Sequence, residues 1–186
     1  MGKVILVTGG ARSGKSTYAE NCVAELGGTI GYIATAKVTD ADMEKRIEHH
    51  RASRPAEWPT FELYNNFQTL LGDDDFMGCD TLILDCITIL VTNNMFDHDV
   101  DYDTVSMDEV TIIESSIADE IMSLIDLVRA MEMNLVIVSN EVGLGLVPPY
   151  RLGNIFRDIA GRMNQMIASE ADEAYFIVSG LPLKLK

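Results

Sequence analysis

Residues 4–16 of this chain read VILVTGGARSGKS, and this stretch decides the fold. Its first five residues are apolar or branched, which is typical of a short buried strand that stops at glycine. The remainder matches the Walker A pattern G-x-x-x-x-G-K-[ST], whose glycines let the backbone curl until successive N–H groups point at one phosphate. Because the motif directly follows a strand and opens a helix, it predicts a phosphate-binding loop.

Two side chains of this loop have distinct predicted roles at a bound triphosphate. Lys15 reaches the β- and γ-phosphates, and the hydroxyl of Ser16 is a ligand of Mg²⁺. Such enzymes also need an acid at the end of a neighbouring strand to position Mg²⁺ and its water. Asp85 ends the apolar run TLILD at residues 81–85 and fits this role, with an ordinary turn residue as the alternative. Glu141 is a second acid of similar placement.

Strands alternate with helices along the chain, which predicts a mostly parallel α/β sheet with helices on both faces. We expect strands at 3–8, 29–34, 60–64, 81–85, 135–139 and 174–179, and helices at 15–26, 40–53, 107–131 and 151–171. The acidic stretch 97–103 is expected to be a mobile surface loop. No repeat or linker divides the chain, so we expect residues 1–186 to form one nucleotide-binding catalytic domain.

Composition argues against several classes of protein. The net charge is −15, and residues 55–128 hold 17 of the 29 acidic residues without one Lys or Arg, so a nucleic-acid partner is not expected. No apolar run approaches the roughly 18 residues of a membrane span. The first apolar run is too short for a signal peptide, and we therefore expect a cytoplasmic protein. Cys22, Cys79 and Cys86 lack metal-ligand spacing and are expected to be buried reduced thiols.

Basic residues gather in two groups, and on so acidic a protein each group is a candidate for holding a small polyanion. The alternative for each residue is a solvated helix face. The first group is Lys37, Lys45, Arg46, Arg51 and Arg54, and the second is Arg151, Arg157 and Arg162.

Three blocks of sequence carry a resemblance to one family. The first is VTGGARSGKS at 7–16. The second combines YIAT at 32–35, RIEHHR at 46–51 and RPAEW at 54–58. The third combines NEVG at 140–143, VP at 147–148, FRDIAGR at 156–162 and NQ at 164–165. Together they resemble, nearly end to end, the bifunctional adenosylcobinamide kinase / adenosylcobinamide-phosphate guanylyltransferases of cobalamin assembly.

This resemblance implies a RecA-like P-loop domain, a homotrimer and two reactions. A nucleoside triphosphate, ATP or GTP, phosphorylates the aminopropanol hydroxyl of adenosylcobinamide. GTP then guanylylates an enzyme histidine, and the GMP passes to the phosphorylated cobinamide to give adenosylcobinamide-GDP. Mg²⁺ is the implied metal, with Ser16 and Asp85 as its ligands. The implied catalytic residues are His49 and Lys15, and the implied nucleotide contacts are Gly9, Gly10, Ala11, Arg12, Ser13, Gly14, Lys15, Ser16, Thr35, Ala36, Lys37, His50, Arg51, Ala52, Ser53, Glu62 and Asp85.

The position of His49 on its predicted helix also suits a nucleophile. Met43, Ile47 and His50 share one stripe, so His50 is expected to pack against the domain. His49 lies about 100° round the helix, near Lys45 and Arg46. Nearby cations lower the pKa of an imidazole and so favour the neutral form that attacks. The residues alone leave open an exposed histidine in a charged patch, whereas the resemblance implies the nucleophile.

Three other functions remain open at the level of sequence. A monofunctional small-molecule kinase would use Lys15, Ser16 and Asp85 and would not need His49. A nucleotide-driven switch or RecA-like assembly protein would act on nucleic acid or on a protein partner. The negative net charge argues against nucleic acid. A nucleotide-binding protein without catalysis is disfavoured by the intact loop. A stable GMP adduct would distinguish the bifunctional enzyme from the plain kinase.

Overall fold

A computed structural model describes residues 2–37 and 55–186, which are organised by one seven-stranded sheet. The strands are β1 (Val4–Gly9), β2 (Ile30–Ala34), β3 (Thr60–Glu62), β4 (Thr81–Asp85), β5 (Asn134–Asn140), β6 (Glu173–Val178) and β7 (Leu181–Lys184). Their spatial order is β3-β2-β4-β5-β1-β6-β7. The pairs among β1 to β6 are parallel, and β7 alone pairs antiparallel, with β6.

Helices cover both faces of this sheet because the strands are apolar on both sides. They are α1 (Lys15–Leu26), α2 (Asp74–Met77), α3 (Ile87–Asp97), α4 (Met107–Ala130) and α5 (Arg151–Glu170), with a 3₁₀ helix at Phe67–Gly72. One core forms between the sheet and α1, which contributes Ala19 and Val23. The larger core lies on the opposite face under α3, α4 and α5. The predicted mostly parallel α/β sheet is confirmed.

Six strands and three helices lie where the sequence predicts them, within one or two residues at nearly every boundary. Four elements are missing from the prediction: α2, α3, β7 and the 3₁₀ helix. Helix α3 is rich in branched residues that favour strands, yet Ile87, Leu90, Val91, Asn94 and Met95 are buried with helical spacing. The predicted helix at 40–53 lies outside the described residues.

Residues 98–103 of the expected loop at 97–103 do lie outside the helices and strands, but two residues of the stretch differ from the expectation of a solvated loop. Asp97 is still the last residue of α3. Tyr102 is buried, and its hydroxyl donates to the Met95 carbonyl at 2.7 Å. The guanidinium of Arg151 donates to the carbonyls of Tyr102 and Val105. The acidic side chains of this stretch are exposed, whereas Tyr102 contacts α3 through its hydroxyl and α5 through its carbonyl. The charge pattern of the sequence did not indicate these contacts.

Candidate active site

The functional residues predicted within the described part of the chain gather at one edge of the sheet. Gly9, Ala34, Glu62 and Asp85 are the last residues of β1, β2, β3 and β4, and Asn140 ends β5. Parallel strands place all their carboxyl ends on the same edge, and ligands of open α/β sheets bind in the crevice outside it. The topology therefore brings together residues that lie up to 131 positions apart.

The phosphate loop has the backbone geometry that its glycines predict. Gly14 has φ of 92°, and the Ser13 N–H donates to the Gly10 carbonyl at 3.2 Å. A Cβ on Gly9 would lie 2.6 Å from both the Ile177 carbonyl oxygen and the Ser13 Oγ, so this position admits no side chain. The backbone is thus curled tightly enough to form a phosphate cradle.

Lys15 is 9% exposed although it carries a charge, and it lies in the first turn of α1. Its Nζ donates to the Gly10 carbonyl at 3.2 Å, which folds the side chain back over the loop. A buried ammonium with one neutral acceptor is stabilised strongly by an anion in the same cradle. The observed loop therefore fits a nucleoside triphosphate.

Two buried hydroxyl oxygens at the loop, those of Thr8 and Ser13, have no hydrogen-bond partner among the described residues. The Ser13 carbonyl, by contrast, accepts from the Gly180 N–H at 2.8 Å. Gly180 lies in the turn between β6 and β7, and a Cβ on Gly14 would be 3.3 Å from its Cα. The turn of the β6–β7 hairpin therefore packs against the phosphate loop. No sequence motif predicted this contact.

Asp85 lies at the same edge but not on the strand next to the loop. The sheet places β5 between β1 and β4, so Asp85 ends the second strand from the phosphate loop. The hydroxyl of Tyr32 donates to Asp85 Oδ2 at 3.0 Å. Tyr32 is buried in β2, and a buried tyrosine hydroxyl usually has a hydrogen-bond partner. A tyrosine in an apolar strand was therefore the sequence feature that could have predicted a polar partner nearby.

No group of three or more His, Cys, Asp or Glu residues is arranged to hold a metal within residues 2–37 and 55–186. Mg²⁺ at phosphate sites is bound mainly by phosphates and water, with one or two protein oxygens. Ser16 in α1 and Asp85 at the end of β4 carry oxygens of the hard type that Mg²⁺ prefers and would be the residues to hold it.

Thr35 is fully buried and its hydroxyl contacts the backbone of Cys86. It accepts from the Cys86 N–H and donates to the Cys86 carbonyl, both at 2.9 Å. Asn93 of α3 donates to the Thr35 carbonyl at 2.7 Å. Burial, with the Asp85 charge beside it, raises the pKa of the Cys86 thiol to about 11. Thr35 therefore fastens the end of β2 to the residue after Asp85, and the Cys86 thiol stays protonated at neutral pH.

Ala36 and Lys37 are the next predicted nucleotide contacts. Ala36 is half-buried, and Lys37 pairs with side chains of the protein. Its Nζ is 3.0 Å from Asp97 Oδ1 and 4.4 Å from the centroid of the Tyr64 ring. Partial burial would raise the pKa of Asp97, but hydrogen bonds from Lys37 and Tyr64 lower it. Glu62 lies on the same edge at the end of β3 and is exposed. His49, His50, Arg51, Ala52 and Ser53 lie outside the described residues.

The second basic group does not form a common anion site. Arg157 donates to the Gly143 carbonyl at 2.6 Å, Arg162 forms a two-pronged ion pair with Glu114, and Arg151 holds the segment before α4. Each guanidinium therefore contacts protein oxygens in a different part of the fold. Glu141 is used in a similar way, since its Oε1 accepts from the Gly143 N–H at 2.9 Å.

A polar network at the end of β5 was missed from the sequence. Asn140 donates to the Thr88 hydroxyl at 2.6 Å, and the Asn164 side chain donates to the Asn140 carbonyl at 3.2 Å. The Ser139 hydroxyl donates to Asn164 Oδ1 at 2.5 Å. These contacts fix the strand that lies between the phosphate loop and Asp85, and therefore fix the spacing of those two parts.

The comparison with known protein families decides the identity of this arrangement. A family described as cobinamide kinase / cobinamide phosphate guanyltransferase matches residues 5–185. The chain belongs to this family. The match to the cobinamide kinase / guanyltransferase family spans the phosphate loop, the strand that ends in Asp85 and the hairpin of β6 and β7.

Three relatives from this family are similar over almost their whole length. The bifunctional adenosylcobalamin biosynthesis protein CobU of Escherichia coli is 43% identical over 183 residues, which cover 98% of this chain and 99% of that protein. The protein of the same name from Salmonella typhimurium is 44% identical with the same coverage. The bifunctional adenosylcobalamin biosynthesis protein CobP of Pseudomonas aeruginosa is 36% identical, covering 97% of this chain and 96% of its own.

Solved structures of lower similarity support the fold alone. The flagellar accessory protein FlaH of Methanocaldococcus jannaschii has a TM-score of 0.51 at 15% identity, covering 99% of this chain and 78% of that one. A KaiC-like protein of Pyrococcus horikoshii has a TM-score of 0.50 at 13% identity, covering 94% and 70%. The fold is that of the RecA-like P-loop NTPases.

Within the described ranges no helix has the length and apolar character needed to cross a bilayer.

Proposed function

We propose that this protein is a bifunctional enzyme of cobalamin biosynthesis that carries out both reactions in one domain, residues 1–186. It phosphorylates the side-chain hydroxyl of adenosylcobinamide with ATP or GTP. It then transfers GMP from GTP, through a histidine, to the phosphate just added. The observation that supports this most is the similarity to bifunctional relatives over nearly the full length of both chains. Its site of action is the cytoplasm, where nucleoside triphosphates are made.

The kinase step requires positioning and charge more than covalent chemistry from the protein. The backbone N–H groups of the loop hold the β- and γ-phosphates, and Lys15 spreads its charge over them as the γ-phosphoryl group leaves. Ser16 and Asp85 would hold Mg²⁺, which when bound neutralises charge on the phosphates. Tyr32 positions Asp85 by donating to its carboxylate at 3.0 Å.

The guanylyl step uses His49 as the nucleophile. Its neutral imidazole nitrogen attacks the α-phosphorus of GTP, a P–N bond forms, and the bond to the bridging oxygen breaks so that pyrophosphate leaves. A phosphate oxygen of the phosphorylated cobinamide then attacks the same phosphorus and the P–N bond breaks, which regenerates the imidazole. Covalent catalysis splits one transfer into two displacements, and one triphosphate cradle serves both.

Incubation with GTP labelled at the α-phosphate tests this proposal without any corrinoid. We expect label that survives denaturation of the protein, is released by mild acid and resists alkali, because a phosphoramidate has these stabilities and an ester to serine does not. GTP labelled at the γ-phosphate is the control and should leave no label. Protein that phosphorylates cobinamide yet never retains the α-label would be a plain kinase.

We further propose that three copies of the chain assemble, as the resemblance to the family implies. The strand β7 lies at an edge of the sheet, and Leu181 and Leu183 in it, with Leu185 just after it, are each more than half exposed. An uncovered apolar edge strand favours association between chains. Sedimentation at micromolar concentration should give the mass of three chains, and a single monomeric boundary would contradict the assembly.

A further inference from the structure

The segment 142–150, VGLGLVPPY, combines two properties that rarely occur together. It contains no charged residue, although 23% of the chain is charged. It is nonetheless on the surface: Leu144 is 76% exposed, Leu146 is 96% exposed and Val147 is 69% exposed. Single exposed apolar residues are ordinary, but a contiguous group of them marks a binding surface. We call residues 142–150 the apolar segment.

The apolar segment starts at the phosphate loop and is held in place at both ends. The Glu141 N–H donates to the Gly9 carbonyl at 3.0 Å, so the chain leaves the sheet directly beside the loop. Arg157 of α5 donates to the Gly143 carbonyl, and Asn154 donates to the Pro148 carbonyl at 3.0 Å. The backbone is thus anchored to α5 while the leucines between the anchors remain in solvent.

A cleft continues this surface away from the loop. Its volume is about 180 Å³, and it is lined mainly by Thr92, Met95 and Phe96 of α3 and by Tyr150, Leu152 and Phe156 at the start of α5. Phe96 is 63% exposed and Tyr150 is 59% exposed. A Cβ on Gly153 would lie 2.6 Å from Pro148 and 2.7 Å from the Tyr150 ring, so this glycine lets both pack against α5. Tyr150 therefore joins the apolar segment to the cleft.

We infer that the apolar segment and this cleft form the surface that binds the corrin macrocycle of the substrate, an inference that rests on the proposed function. A corrinoid is a broad ring system with methyl and amide groups round its edge, so it needs a wide apolar surface near the γ-phosphate. The cleft is smaller than the roughly 300 Å³ of pockets that enclose drug-sized ligands. The macrocycle consequently lies across Leu144, Leu146 and Val147, with one peripheral group in the cleft.

The position of the segment favours the substrate over a second copy of the chain. Both walls of the cleft begin at the catalytic edge, since α3 follows Asp85 after one residue and the apolar segment follows β5. A macrocycle bound there can direct its side-chain hydroxyl back along the segment to the phosphate loop. The apolar stripe on β7 lies instead on an edge strand, where a second copy can bind without blocking the crevice.

The double variant Leu144→Ser, Leu146→Ser tests the inference, with Ile112→Ser as the matched control. Ile112 is 67% exposed on α4 and lies outside the surface, so its change also removes one exposed aliphatic side chain. We expect the KM for cobinamide to rise roughly tenfold in the double variant, because apolar contact with two leucines is lost. The KM for GTP and the yield of the GMP adduct without corrinoid should stay at wild-type values. Equilibrium dialysis of coloured cobinamide should give the same loss of affinity without catalysis.

Three outcomes would overturn the inference. Unchanged cobinamide affinity in the double variant would show that the surface does not bind the macrocycle. Unchanged cobinamide affinity combined with a smaller sedimenting species would assign the surface to a contact between copies. An equal loss in Ile112→Ser would show a nonspecific effect. Failure of the proposed function looks different, because wild-type protein itself would then fail to phosphorylate cobinamide.

Discussion

The Lys15→Ala variant should lose both reactions, with the rates of cobinamide phosphorylation and GMP-adduct formation each falling by at least about 100-fold. The structure gives the reason. Lys15 is 9% exposed and folds over the loop to the Gly10 carbonyl, so its charge is concentrated on the cradle that both steps use. Alanine removes that charge and preserves the helix, because alanine is a good helix former. Initial rates of both half-reactions provide the measurement.

Lys3→Ala is the control for this variant. Lys3 is a more exposed lysine that pairs with Glu173 at 2.9 Å, next to the opposite end of β1. Its loss should leave both rates near wild type, since an exposed ion pair contributes little to stability and Lys3 lies far from the phosphate loop along β1. Survival of either reaction near its normal rate in Lys15→Ala would mean that the two steps use separate phosphate sites, contrary to the shared cradle.

The His49→Ala variant should separate the two activities. The GMP adduct and GMP transfer should fall to background, because no imidazole remains to form the P–N bond. Phosphorylation of cobinamide should stay within about threefold of wild type, since γ-phosphoryl transfer needs positioning, Mg²⁺ and the loop charges. Denatured protein from incubations with α-labelled GTP and cobinamide phosphorylation rates from the same preparation give both results.

His50→Ala is the matched variant, one residue along the chain. From its position on the predicted helix we expect weaker packing or nucleotide binding, and therefore a parallel decrease of both reactions. Label that is lost from His50→Ala and retained by His49→Ala would transfer the nucleophile to His50. Retention of an acid-stable, alkali-labile label by any variant would point to a hydroxyl instead of an imidazole.

The central parts of the site were predictable because they are local in sequence. The phosphate loop follows from the spacing of Gly9, Gly14 and Lys15, and its strand and helix follow from the residues on either side. Contacts between distant strands were not predictable in the same way. The hydrogen bond from Tyr32 to Asp85 joins residues 53 positions apart, and the one from Gly180 to Ser13 joins residues that are much further apart in sequence.

Composition also misled the prediction at identifiable places. Branched residues in α3 favour a strand locally, and only burial against the sheet makes a helix the better choice for Ile87 and Val91. The acids at 97–103 suggested a loop in solvent, while one tyrosine, Tyr102, anchors that segment. Strand order was the other limit, because the insertion of β5 between β1 and β4 depends on packing across the whole domain.

The order of strands also has a consequence for synthesis on the ribosome. The strand β1 is translated long before its neighbours in the sheet, which are β5, where Val4 pairs with Leu135, and β6, where Ile5 pairs with Glu173. Gly180, whose N–H donates to the Ser13 carbonyl of the loop, is translated after both of these strands. Pairing of such distant segments carries a large loop-closure cost and must wait until they emerge. A nascent chain therefore carries its phosphate motif without these supporting contacts until β5, β6 and the turn at Gly180 have been synthesised.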